Sequence, residues 1–151
     1  MTIDIKREAL SYLASHHVMT LATYGDQAPW ATAVFYVNDG FSLSFLTESH
    51  TRHGRNLAAD PRVAAAVHEA YDDWRAIKGI QILGRAAPVG PLEKARLLPA
   101  FIAKFPTVGV FVSDARYIAI MARALIYRVE PEEIWYLDNS KGFSRRERII
   151  P

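Results

Sequence analysis

The feature that most constrains this fold is a pair of β-prone runs on either side of an Asn-Asp-Gly turn. The runs are residues 30–37 and 41–47, and Asn38, Asp39 and Gly40 lie between them. Asp-Gly supplies the positive φ angles that a tight hairpin requires, so the two runs are expected to pair as antiparallel strands. A substantial part of the chain is therefore expected to be hairpin-connected β-structure.

Further segments have the composition of strands and short helices. Gly79 and Gly84 are expected to mark bulges or close backbone approaches within one long strand. Six or so strands with antiparallel hairpin signals, and only short helices, indicate a mainly β protein and a barrel rather than a doubly wound sheet. The remaining strands are expected at residues 18–24, 63–68, 76–89, 124–129 and 133–137, and the helices at 5–14, 53–59 and 91–104.

Composition limits both the architecture and the chemistry. The chain has 151 residues, half of them apolar, which predicts a single domain over residues 1–151. The absence of cysteine excludes disulfides, thiolate metal ligands and cysteine nucleophiles. No apolar run reaches the ~18 residues of a membrane span, so we expect a cytoplasmic protein without a membrane partner. A net charge of +2 provides little electrostatic attraction to nucleic acid.

The richest cluster of polar side chains is residues 47–55, Thr-Glu-Ser-His-Thr-Arg-His-Gly-Arg. It falls where a strand gives way to a helix whose N-terminus offers free N–H groups and a partial positive charge. Arg52 adds a side chain that contacts phosphate oxygens through two parallel hydrogen bonds. The segment therefore predicts a phosphate site. The alternative, in which Thr51 only caps the helix and the arginines are solvated, stays open at this point.

Other chemical motifs are lacking or ambiguous. There is no Gly-x-Ser-x-Gly elbow, no glycine-rich dinucleotide loop and no Walker motif. His50 and His53 are three residues apart, but no third ligand stands nearby, so no metal site is predicted. The basic run 141–148 is expected to be a solvated tail, or else a segment that reaches a ligand or partner with Phe143 stacked on a flat ring.

Several motifs, taken in order, resemble the flavin-binding signature of the pyridoxamine 5'-phosphate oxidase-like superfamily. They are Leu-Ser-Phe-Leu-Thr at 43–47, Thr-Arg-His at 51–53 and Asn-Leu-Ala-Ala-Asp-Pro-Arg-Val at 56–63. Two later pieces, at 77–84 and 138–143, look like a poorly characterised bacterial branch of the same proteins. The resemblance spans residues 5 to 148 and rests on the ordered set rather than on any one motif.

This resemblance implies a six-stranded antiparallel split β-barrel that forms a homodimer and binds flavin mononucleotide (FMN) in clefts between subunits. It places the phosphate on Thr47, Thr51, Arg52 and His53, with His53 where the family usually has lysine. It also places the flavin ring along Thr32, Ala33 and Val34, with Lys78 and Gln81 as further cofactor contacts. No side chain is nominated as a catalytic acid or base.

The leading functional hypothesis is an FMN-dependent oxidoreductase that acts on an unknown small molecule. The alternatives are a flavin-binding or sensing protein without turnover, and a haem-binding or haem-utilising protein with His16, His17 or His50 as iron ligand. A nucleic-acid or protein-interaction module using the basic run is a further alternative, against which the low net charge counts. Residues 144–148 do not reproduce the oxidase's C-terminal Arg-x-His pair, so pyridoxine 5'-phosphate oxidation is not expected.

Overall fold

A computed structural model describes residues 3–151, and within that range eight strands form one antiparallel sheet. The sheet order is β2-β1-β5-β6-β7-β4-β3, and β8 pairs with the C-terminal part of β7. The expected mainly β barrel is confirmed, with eight strands in the described range instead of six. The strands are β1 Val18–Gly25, β2 Ala28–Phe35, β3 Val37–Asp39, β4 Ser42–Thr47, β5 Arg62–His68, β6 Lys78–Pro88, β7 Leu125–Asp138 and β8 Arg146–Ile149.

Tyr36 is the point at which the sheet curls into a half-barrel. The strands β2 and β3 lie at opposite ends of the sheet path, yet Tyr36 alone separates them along the chain. Its ring is fully buried, its hydroxyl donates to the Leu13 carbonyl at 2.6 Å, and its N–H donates to the His17 carbonyl at 3.1 Å. The expectation of one continuous strand over 30–37 is therefore wrong, because burial of this ring divides the run between two edges of the sheet.

The two strands expected at 124–129 and 133–137 are a single strand, β7. It passes through Glu130 and Pro131 without a break because β6 pairs with it along almost its whole length. A register shift at Leu83/Gly84 accommodates the irregularity, so the expected bulge at Gly84 is confirmed. The basic run is not a free tail, since Arg146–Ile149 forms β8.

The expected helices at 5–14, 53–59 and 91–104 are confirmed within about one or two residues, whereas the two helices between α3 and β7 were not predicted. No helix within residues 3–151 is long and apolar enough to span a membrane. The helices are α1 Ile3–Ser15, α2 Arg52–Ala59, α3 Pro91–Lys104, α4 Gly109–Ser113 and α5 Ala115–Arg123.

Alternation along the strands builds the core. On β1, β5 and β6 every second side chain points inward, and these side chains pack with the inner faces of β4 and β7. A second, smaller apolar cluster lies where α3 packs near the end of β4, around Phe101, Phe105, Val37 and Ile126. The main core includes Met19, Leu21, Phe45, Val67, Ile82 and Ile134, each of which contributes ~1.5–3 kcal/mol by burial.

Candidate functional site

The segment between β4 and α2 forms a tight turn that brings Thr47 next to Thr51. The Thr51 hydroxyl accepts the N–H of Gly54 at 3.1 Å and donates to the Glu48 carbonyl at 2.8 Å, so the capping role predicted for Thr51 is confirmed. Glycine is needed at position 54 because a Cβ there would lie 2.6 Å from the Glu48 carbonyl oxygen. The turn therefore depends on both residues.

Thr47, Thr51 and His53 meet at one point above the N-terminus of α2. The Thr47 hydroxyl lies 2.6 Å from Nε2 of His53 and 3.2 Å from the Thr51 hydroxyl. The Thr51 hydroxyl lies 3.4 Å from the same Nε2. Burial lowers the pKa of His53 below its ordinary value, because it disfavours the charged ring. The first N–H groups of α2 have no partner within the helix ladder. We call these three residues and Arg52 the cradle; the first N–H groups of α2 and the Arg52 guanidinium are donors that suit an oxygen-rich anion.

Arg52 is held over an aromatic ring and keeps an unused donor. Its guanidinium carbon lies 4.2 Å from the ring centre of Trp30, and its Nε is buried without a hydrogen-bond partner in the described part of the chain. The helix that carries it is anchored to β1, because the amide of Asn56 donates to the Thr23 hydroxyl at 3.0 Å in a buried contact. An unsatisfied buried guanidinium nitrogen is unusual and marks a place for an acceptor.

The side chains of β2 divide between two faces. On β1, the side chains of Thr23, Leu21 and Met19 point into the core. Their cross-strand partners on β2 are, in the same order, Trp30, Thr32 and Val34. Thr32 and Val34 therefore share a face with the Trp30 ring on which Arg52 rests. Ala33 lies on the opposite face.

The main chain of Ala33 is directed away from β1. The bond from the Tyr36 N–H to the His17 carbonyl makes these two residues a hydrogen-bonded pair, and pair types alternate along an antiparallel ladder. Ala33 then falls in a non-bonded pair with Thr20, so its N–H and C=O point outward from the β2 edge. This is the arrangement by which backbone groups can meet the polar edge of a planar ligand.

Gln81 and Lys78 are not brought to the cradle within one chain. Gln81 lies on the outer face of the sheet. It is the last of four residues that are neighbours across the strands β2, β1, β5 and β6, namely Ala33, Thr20, Ala66 and Gln81. Lys78 pairs with Asp138 at one end of the 14-residue β7, whereas Thr47 pairs with Leu125 at the other. At ~3.3 Å per residue, these ends are roughly 40 Å apart along the strand.

The three histidines considered for haem iron lie in separate environments. Both ring nitrogens of His16 are engaged, one 2.7 Å from the Tyr12 carbonyl and the other 2.7 Å from the Glu69 carboxylate. His17 packs edge-on against Phe105, and His50 is exposed with Nδ1 3.2 Å from the Glu48 carboxylate. They do not form one pocket.

Trp30 is the residue of this site that the sequence reading missed. It stands at the head of a β-prone run, which identifies it as a strand residue, and no local spacing links position 30 to position 52. The contact arises from packing of α2 on β1 and β2. The sequence also predicts no helix or strand for the segment 105–123, part of which lies close to Thr47.

The comparisons with known proteins identify the family and the fold of this chain. The family model described as "Pyridoxamine 5'-phosphate oxidase" matches residues 5–138, so the chain belongs to that family. It is 31% identical over 138 residues to a UPF0306 protein of Photorhabdus laumondii, a match that covers 89% of this chain and 88% of the relative. The structure is also similar to two solved structures.

One of these is a heme binding protein from Mycobacterium smegmatis, with a TM-score of 0.78, 23% identity, and coverage of 99% of this chain and 59% of the other. The second is a FAD-binding protein from Mesorhizobium loti, with a TM-score of 0.65, 18% identity, and coverage of 89% and 92%. At these identities the likeness shows the fold.

Proposed function

We propose that the chain binds FMN with its phosphate in the cradle and acts as a flavin-dependent oxidoreductase on a small molecule. The observation that carries this proposal is the convergence of Thr47, Thr51 and His53 at the N-terminus of α2, whose first residue, Arg52, has a buried Nε that lacks an acceptor in the described part of the chain. A phosphate dianion suits the free N–H groups at this helix N-terminus and the Arg52 guanidinium, and the two threonine hydroxyls would turn toward it on binding. A flavin bound there supplies the electron transfer, and the chain holds and orients it.

The neighbouring strand suits the flat part of the cofactor. Thr32 and Val34 continue the face that begins at Trp30, and Ala33 presents backbone groups at the sheet edge. The flavin ring is proposed to run along this strand, away from the cradle. A FAD-binding neighbour of the same fold supports the flavin as the class of cofactor.

A homodimer is part of the proposal. The edge strand β2 leaves large apolar side chains in solvent, with Trp30 39% exposed and Phe35 54% exposed. A second copy that covers this edge would enclose the ring and bury both side chains. Lys78 is proposed to reach the flavin ring from that second subunit, because within one chain β1 and β5 lie between its strand, β6, and β2.

Reconstitution followed by visible spectroscopy tests the function. We expect purified protein to take up FMN stoichiometrically and turn yellow, and a nicotinamide or deazaflavin donor to reduce the bound flavin. Uptake of flavin without reduction by either donor would assign a flavin-binding protein with no turnover. No flavin uptake at all would overturn the proposal.

Haem binding is the second candidate, and the similarity to the heme binding protein of Mycobacterium smegmatis favours testing it. In this chain both ring nitrogens of His16 already have partners, which leaves His17 and His50 of the three candidate ligands. Titration with haemin in the same experiment separates the two candidates. An intense haem band that persists in the presence of excess FMN would favour haem.

The affinity for FMN is expected to fall as pH rises from 6.5 to 8. Burial lowers the pKa of His53 in the free protein, whereas a bound dianion favours the imidazolium, so binding takes up a proton. Each unit of pKa difference between complex and free protein corresponds to about tenfold in affinity. The dissociation constant for FMN should therefore rise up to about tenfold over this range, as measured by quenching of flavin fluorescence.

Two controls isolate His53 in that experiment. Riboflavin lacks the phosphate, so its dissociation constant should stay level over the same pH range. His53→Lys places a fixed cation at this position and should flatten the FMN profile. An equally steep profile in His53→Lys would show that another group takes up the proton.

A further inference from the structure

A cavity of about 320 Å³ lies next to Thr47, which is also part of the cradle. Its volume falls within the ~300–1,000 Å³ range of small-molecule pockets. The end of β4 forms one wall, and α5 with the segment before α4 forms the other. Most of its lining residues are apolar, among them Phe35, Leu46, Val108, Ile120 and Met121. Two threonines and Glu48 are the polar residues of the lining.

Glu48 is the one ionisable side chain of this lining. Its Oε1 is buried and has no hydrogen-bond partner in the described part of the chain. The closest cation is the Arg123 guanidinium, 3.6 Å from Oε1, on a side chain that is 66% exposed. Its other oxygen lies 3.2 Å from Nδ1 of His50. A buried carboxylate oxygen without a donor is costly, and a ligand that donates a hydrogen bond would remove that cost.

We propose that this cavity binds the small-molecule substrate, and that the substrate is a mainly apolar molecule with one O–H or N–H donor directed at Glu48. The apolar walls select the body of the molecule, and Oε1 selects its polar end. A carboxylate at that end is disfavoured by the like charge of Glu48. Calling the ligand a substrate rests on the proposed flavin function, because Thr47 lines both the cavity and the cradle.

Three naphthalene derivatives of similar shape test the chemistry, with binding followed by naphthalene fluorescence. 2-Naphthol carries an O–H donor, 2-methoxynaphthalene has no donor, and 2-naphthoate carries an anion. We expect 2-naphthol to bind at least tenfold more tightly than either of the others. Equal binding of 2-naphthol and 2-methoxynaphthalene, tighter binding of 2-naphthoate, or no binding of any probe would overturn the proposal.

Two kinds of variant locate the binding. Glu48→Met keeps the length of the side chain but removes the acceptor, so it should abolish the preference for 2-naphthol over 2-methoxynaphthalene. Met121→Trp should fill the cavity and abolish binding of both probes, and Ile120→Phe is a second filling variant if the first does not fold. Unchanged 2-naphthol binding in a folded, cavity-filled variant would show that the probe binds elsewhere.

A last comparison separates this inference from the proposed function. Arg52→Ala alters the cradle alone and should leave 2-naphthol binding unchanged. If FMN fails to bind while 2-naphthol binds through Glu48, the ligand site stands and the flavin function fails. If FMN binds and displaces 2-naphthol competitively, the cavity belongs to the flavin site and this inference is overturned. Simultaneous binding of both supports it.

Discussion

Replacing Arg52 by alanine is expected to weaken FMN binding roughly tenfold to hundredfold and to leave riboflavin binding nearly unchanged. Hydrogen bonds to charged groups contribute about 1.5–3 kcal/mol each, and only FMN offers a phosphate to accept them. The buried, unpartnered Nε of Arg52 is the donor that the substitution removes. Titration of each flavin by fluorescence quenching at one fixed salt concentration measures the effect.

Arg55→Ala is the matched control for that experiment. Arg55 lies three residues further along α2, is exposed, and donates to the His50 carbonyl. Its removal lowers the net charge by the same unit while leaving the cradle in place. Equal losses for FMN and riboflavin in Arg52→Ala, or an FMN loss in Arg55→Ala as large as in Arg52→Ala, would contradict the assignment of Arg52 to the phosphate.

The largest expected effect on stability is that of Gly84→Ala. A Cβ at position 84 would lie 2.3 Å from the Glu130 carbonyl oxygen and 3.1 Å from Cα of Pro131, both of them backbone atoms of β7. The paired strands must separate locally to admit it, so we expect the free energy of unfolding to fall by about 3 kcal/mol. Urea denaturation followed by circular dichroism measures this, with an unchanged m-value if the transition stays two-state.

Gly109→Ala provides the corresponding control. Gly109 is the first residue of α4 and has φ −57°, and a Cβ there would meet only Ile102 at an ordinary 3.9 Å. Alanine has the higher helix propensity, so the free energy of unfolding should stay level or rise by up to about 1 kcal/mol. A loss below about 1 kcal/mol in Gly84→Ala would show that β6 and β7 adjust easily, and that the close approach is not needed.

Local chemistry explains why much of the cradle could be predicted. Thr47, Thr51, Arg52 and His53 lie within seven residues, and a strand end, a capping hydroxyl and a helix start follow one another directly. The geometry of such a turn is set by short-range hydrogen bonds, such as Gly54 N–H to Thr51. The ordered motifs then identified the family, and the family match over 5–138 confirmed it.

Long-range packing explains what could not be predicted. The division of the 30–37 run depends on a buried Tyr36 whose hydroxyl reaches Leu13 on α1. The helices α4 and α5 are five and nine residues long, so neither is stable alone, and tertiary contacts determine whether they form. The same contacts create the cavity beside Thr47, including the buried oxygen of Glu48.

The amino-acid sequence alone indicated the β-rich class, because periodicity and turn chemistry act between neighbours along the chain. Its ordered motifs identified the family by resemblance, and that resemblance pointed to the four residues of the cradle. Only the tertiary structure decided that Arg52 rests on Trp30, that Lys78 pairs with the far end of β7, and that Glu48 lines a mainly apolar cavity. These facts depend on how the sheet curls and which helices cover it, and burial of side chains distant in sequence sets both.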